Sequence, residues 1–412
     1  MGGVDRIGHH LRVTPSRLSS RLAAVLLSGM IAACGTASPD SGAPSSSALP
    51  SQIVQELGSF PPLPEEALSA DLAERLQAQL DAVVERDEAP AISAGVILPG
   101  IGRWEGTSGA TPEGEAVSSD TVFAIASITK TVVAASALQL AEDGVLDLDD
   151  PLAEHLPPGM AEMTNGATLR DALGMRTGLQ EHVDPSLETA FIEDPERHWT
   201  PEEAVAALSP DAAFPPGERT VYANVNFVLL GMAIEGASGR SMDTILRDGV
   251  LALPELARMA LQDAEPPSQP LSAFYASNSA LPSGAESLER SGGFLPSRAF
   301  ASAVWTAGSI ASDARTLATW GYLLYGGHVL SDASLTAMVT APAGADYGLG
   351  CAMLRGQGLD GVGHGGNLPG FSSVLYADRE TGAVIGVLVN TDAYDPSTLV
   401  SALMREIRPQ GG

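Results

Sequence analysis

The chain has 412 residues and a formal net charge of −28, with 44 % hydrophobic and 17 % charged residues. This composition is globular, and its acidity excludes a nucleic-acid partner, whose phosphates need a basic surface. No apolar run of about 18 residues follows the N-terminal region, so no membrane-spanning helix is predicted; the two cysteines, Cys34 and Cys351, make neither a disulfide framework nor a zinc site.

In chain order, residues 1–21 carry Arg6, Arg12, Arg17 and Arg21 against one acid, Asp5, and residues 22–33 are apolar. A basic stretch followed by a short apolar one is the pattern of an export signal. It closes on Ile31-Ala32-Ala33-Cys34, which resembles the lipobox of bacterial lipoproteins. The expectation is a lipoprotein signal peptide over 1–33 and a lipid anchor on Cys34. A flexible Ser-, Pro- and Ala-rich tether then covers 34–65, and one folded domain covers 66–410. The protein is then expected to be exported and held at the cell envelope through its lipid alone. Cys351 reads as a small core residue.

Leu72, Leu76, Leu80 and Val83 recur at helical spacing, predicting an amphipathic helix over 68–85. Residues 91–98 and 102–108 read as a β-hairpin around Pro99-Gly100. An apolar stretch from Val122 turns helical at Ser127 and is capped at Gly144. Residues 145–300 read as helices and loops, with a long polar surface loop over 265–300. A helix pair follows over 304–338, then strands over 347–353, 372–376 and 383–390, then a last helix over 397–407. Strands at both chain ends with helices between them predict an α+β fold: a sheet assembled from the two ends, flanked by helices, with an inserted helical region.

Of the 22 basic side chains a single one is lysine, Lys130. It lies in Ser127-Ile128-Thr129-Lys130, where a helix beginning at Ser127 puts both side chains on one face. A serine hydroxyl is a weak nucleophile until a base takes its proton. A buried lysine can serve as that base, whereas a guanidinium cannot lose its proton in a protein. The bland alternative is an arginine-biased composition and a chance spacing. Tyr222-Ala223-Asn224 offers a proton-relaying phenol and an amide that can hold a substrate amide; alone it could equally be a loop tyrosine over the core. His364-Gly365-Gly366-Asn367 puts glycines where a ligand can approach the backbone, or else forms a plain turn before a strand.

In the order Ser-x-x-Lys, Tyr-x-Asn, His-x-Gly the three motifs resemble the serine β-lactamase and penicillin-binding family, in its class C β-lactamase and D-Ala-D-Ala carboxypeptidase branch. Further likeness runs through Phe123-Ala124-Ile125-Ala126-Ser127, the run from Gly144 to Pro151, Asn226-Phe227 and Ala307-Gly308-Ser309. The resemblance implies a β-lactamase/transpeptidase-like fold and a cofactor-free, metal-free serine hydrolase acting on a small-molecule or peptide substrate. It implies Ser127 as nucleophile, Lys130 as its base and Tyr222 as proton shuttle. It puts Asn224 on the substrate amide and His364 at the third-motif base position. It further implies that Gly365, Gly366 and Asn367 line the substrate, with the backbone N–H groups of Ser127 and Asn367 as the oxyanion hole.

One departure matters. Gly365 stands where the carboxypeptidases often carry a threonine for the substrate carboxylate. Arg355 is weighed as a substitute, against a plain surface strand residue. D-Ala-D-Ala carboxypeptidase-like or related amide hydrolysis ranks first, then esterase or β-lactamase action. A catalytically weak protein binding cell-wall fragments and a structural envelope lipoprotein follow.

Overall fold

The computed structural model describes residues 56–111, 114–183, 185–206, 212–262, 266–267 and 293–408. The signal segment 1–33, Cys34, most of the tether and most of the 265–300 stretch lie outside the described residues. Residues 56–65, read as tether from composition, are packed: Phe60 is buried, and its ring lies 5.2 Å from that of Tyr322.

Ser69 caps the first helix, α1 (Ala70–Glu85), by accepting from the Leu72 N–H, and Leu72, Leu76, Leu80 and Val83 form its buried face. The hairpin is present as β1 (Ala91–Leu98) and β2 (Gly102–Gly109). A two-residue strand β3 (Phe123–Ala124) leads through a 3₁₀ turn, Ala126–Ile128, into α2 (Thr129–Glu142). The helical region then holds α3 (Leu169–Leu173), α4 (Pro185–Glu193), α5 (Pro201–Val205), α6 (Val225–Ser238) and α7 (Met242–Asp248). Strand β4 (Ala260–Leu261), α8 (Arg298–Val304), β5 (Ile310–Ser312), α9 (Ala314–Tyr325) and α10 (Asp332–Met338) follow. The chain closes with β6 (Ala352–Gly356), β7 (Leu359–Leu368), β8 (Phe371–Asp378), β9 (Val384–Val389) and α11 (Pro396–Ile407).

The main sheet runs β2-β1-β9-β8-β7-β6 with every neighbouring pair antiparallel, so the two chain ends meet where β1 pairs with β9. All residues of β1, β8 and β9 are buried, so helices cover both sheet faces. Helix α9 packs on β1, β8 and β9, and α1 and α11 pack on each other and on strands of the same sheet. A small sheet, β3-β5-β4, lies beside the 3₁₀ turn; its strands are too short to carry a sequence period. Strand β7 also departs from the predicted elements: Gly361, Gly363, Gly365 and Gly366 leave it without an alternating apolar pattern. The strand expected over 347–353 starts only at Ala352. Among the described residues no helix is long and apolar enough to cross a membrane.

Candidate active site

Ser127 lies in the 3₁₀ turn and not in α2 itself, so the Ser127–Lys130 motif bends just ahead of the helix. Ala126, immediately before it, has φ of 50°, a left-handed conformation that a non-glycine residue adopts at a cost of about 1–3 kcal/mol. Packing holds it there. The Ser373 hydroxyl of β8 donates to the Ile125 carbonyl at 2.9 Å, and Gly366 of β7 approaches so closely that a Cβ would overlap Ser373 Oγ and the Ile125 carbonyl oxygen. Glycine at 366 is thus what allows β7 to lie against the turn.

Lys130 is completely buried on the first turn of α2. Its Nζ lies 3.0 Å from Ser127 Oγ, 2.8 Å from Asn224 Oδ1 and 2.5 Å from the Ala307 carbonyl oxygen. The Ala307 carbonyl is delivered by a 3₁₀ turn opening at Trp305, whose φ of 34° is a second left-handed, buried, non-glycine position. Burial lowers the Lys130 amine to a pKa of about 7, with the Glu181 carboxylate acting in the opposite direction. The Tyr222 hydroxyl donates to Ser127 Oγ at 2.7 Å, and the ring lies 4.9 Å from Nζ. Burial raises the Tyr222 phenol well above its ordinary value, which keeps it protonated. Ser127, Lys130, Tyr222 and Asn224 therefore converge, although about 90 residues separate the two motifs.

His364 is brought alongside, its ring 6.0 Å from that of Tyr222, but both its nitrogens are engaged elsewhere. Nδ1 lies 2.6 Å from the Gly365 carbonyl, which can only accept, so Nδ1 carries the proton. Nε2 then accepts from the Tyr347 hydroxyl at 3.0 Å. Burial, with Lys130 nearby, lowers the ring to a pKa of about 3. Strand β6 pairs with β7 only up to Gly363, so among the described residues no strand pairs with His364 to Leu368 on that edge, and the 3₁₀ turn of Ser127 packs on β7. Gly365 has open space where a side chain would stand, and the Asn367 amide donates to the Asp392 carbonyl at 3.3 Å. Arg355 lies at the far end of β6, ion-paired with Asp346 and Asp360, so it is the surface strand residue and not a carboxylate partner of the site.

Two site residues had no signal in the sequence. Tyr347 packs edge-on against both Tyr222 and His364, at 5.9 and 5.6 Å between rings. Glu181 sits in the loop after α3 and accepts from the Asn224 backbone N–H at 2.8 Å and from Asn224 Nδ2 at 3.0 Å. Its side chain is one-third exposed, yet surrounding donors hold the carboxyl below its ordinary pKa despite crowding by protein. Among the described residues no group of three or more His, Cys, Asp or Glu is placed to hold a metal ion.

Known proteins resemble this chain in sequence and in fold. "Penicillin-binding protein 4" of Amycolatopsis lactamdurans is 27 % identical over 306 residues, 67 % of this chain and 74 % of the relative. The solved D-stereospecific amidohydrolase of a Streptomyces species is 28 % identical, with a TM-score of 0.66 over 80 % of this chain and 98 % of that one. The D-amino acid amidase of Ochrobactrum anthropi SV3 shares the fold, with a TM-score of 0.68 and 24 % identity over 82 % of this chain and 99 % of its own. The family model described as Beta-lactamase matches residues 76–406, and the chain belongs to that family of serine hydrolases.

Proposed function

We propose that the protein hydrolyses amides through an acyl-enzyme on Ser127, with D-configured amino-acid or short peptide amides as the substrate class. The observation that carries the reading is the double contact of Ser127 Oγ with Lys130 Nζ and with the Tyr222 hydroxyl. Neutral Lys130 takes the Ser127 proton as Oγ attacks the carbonyl carbon. The oxyanion turns to backbone N–H groups, for which Ser127 and Asn367 are the candidates. Tyr222, kept protonated, gives its proton to the leaving nitrogen and regains one from Lys130. Water then attacks the ester and gives a proton to Lys130, which passes it to Ser127 Oγ as the acid leaves, restoring the hydroxyl and the neutral amine.

Several features favour an amide over a peptide ending in a free carboxylate. Gly365 has no hydroxyl, Arg355 is engaged elsewhere, and the outside charge acting on both Lys130 and Tyr222 is the negative one of Glu181. The likeness to the Streptomyces D-stereospecific amidohydrolase supports the stereochemistry. The likeness to penicillin-binding protein 4 supports the second reading, a D-Ala-D-Ala carboxypeptidase-like activity. Intact mass after incubation with a D-amino-acid amide, an activated ester and a penicillin, with Ser127→Ala as control, separates these. Ser127-dependent amide turnover without a lasting penicillin adduct supports the amidase. A persistent penicilloyl adduct lost in Ser127→Ala supports the second reading. We also infer export and lipid attachment at Cys34; Cys34→Ala should then abolish lipid incorporation.

A further inference from the structure

A neutral amine has two N–H groups and one lone pair. At Lys130 two acceptors lie within reach besides Ser127: the Ala307 carbonyl and Asn224 Oδ1, at 2.5 and 2.8 Å. They take the two N–H groups, and the lone pair is left facing Ser127 Oγ. This holds only while Asn224 shows its oxygen to the lysine. An asparagine amide is nearly symmetric in shape, and the reversed amide would set its NH2 against the amine. Glu181 breaks that symmetry. Its carboxylate accepts and cannot donate, and Oε2 receives both the Asn224 backbone N–H and Nδ2. The other oxygen is tied down too: Oε1 accepts from the His182 and Val183 N–H groups at 2.9 and 3.3 Å and lies 3.0 Å from Nδ1 of the buried His182.

We propose that Glu181 is a positioning residue for acylation, fixing the Asn224 amide so that its oxygen faces Lys130 and the lysine lone pair faces Ser127. This rests on the Ser127–Lys130 reading above. The other titratable groups facing Lys130 are Tyr222, from the segment ahead of α6, and His364, from β7.

The test is a double-mutant cycle of Glu181→Gln and Asn224→Ala, read as single-turnover acylation by the neutral ester p-nitrophenyl acetate across pH, with Ser127→Ala as blank. Where Lys130 is already neutral, Glu181→Gln should lower the plateau rate by about 10- to 100-fold, the size of one lost charge-assisted hydrogen bond. Its effect should shrink to less than about 2-fold in the Asn224→Ala background. Glu181→Asp, which keeps two accepting oxygens, should retain more of the rate than Glu181→Gln, and thermal melting checks that each variant is folded. Equal costs in both backgrounds overturn the proposal. So does an unchanged plateau with only the acid limb moved to lower pH, because that is a bare charge effect on Lys130. Glu181→Asp no better than Glu181→Gln overturns it as well. No Ser127-dependent acylation in the unaltered protein overturns both this proposal and the hydrolase reading.

Discussion

The buried lysine makes the sharpest prediction. At pH 7 a lysine titrating at its ordinary 10.5 is neutral about once in 3,000, whereas one lowered to about 7 is neutral about half the time. The difference is worth about 5 kcal/mol between the two protonation states, and burial on all sides is its source. Single-turnover acylation by a neutral activated ester should therefore rise about tenfold per pH unit up to about pH 7 and then level off. Lys130→Arg, which cannot release its proton, should lower the rate by about 10²- to 10⁴-fold. The same displacement acts on stability. Because the native pKa lies below the unfolded one, the unfolded chain binds more protons between about pH 7 and 10.5, and stability rises with pH across that window. The penalty is fully present below about pH 7. Lys130→Met should then raise Tm at pH 6 and raise it less at pH 10. An acid limb near pH 10, or an active Lys130→Arg, would refute the assignment. A Lys130→Met gain in Tm that ignores pH would refute the source of the shift.

The remaining predictions concern the neighbours. Tyr222→Phe removes the donor to Ser127 Oγ; amide turnover should fall by about 10²- to 10⁴-fold, and activated-ester turnover much less, since that leaving group needs no proton. Gly365→Thr has open space to fill, so it should melt like the parent and gain acylation by penicillin; an unstable or unresponsive variant contradicts the account of missing carboxylate recognition. Gly366→Ala should cost about 1–3 kcal/mol in thermal or denaturant unfolding and lower activity, because its methyl group would push β7 off the Ser127 turn. The His364 ring, lowered to about 3, should show no titration between pH 5 and 8 in nitrogen NMR and should carry its proton on Nδ1. The unfolded histidine binds its proton first, so this residue subtracts stability as pH falls from about 6.5 toward 3.

What the sequence determined by itself was the chemistry that residue type allows. A single lysine three residues after a serine, a tyrosine before an apolar helix and glycines beside a histidine offer candidates for a nucleophile, a base and a proton relay before any contact is seen. Helical periodicity likewise determined α1, a Pro-Gly turn the β1–β2 hairpin, and apolar runs the strands β8 and β9, which are buried throughout. The tertiary structure alone decided β7, since a glycine-rich strand owes its existence to its neighbours and not to its own pattern. It alone decided that Glu181 and Tyr347 lie beside the motif residues and that the two His364 nitrogens are engaged by Gly365 and Tyr347. It also decided the protonation states: the displacement of Lys130 comes from burial, and burial is a property of everything packed around a side chain, which no local spacing records.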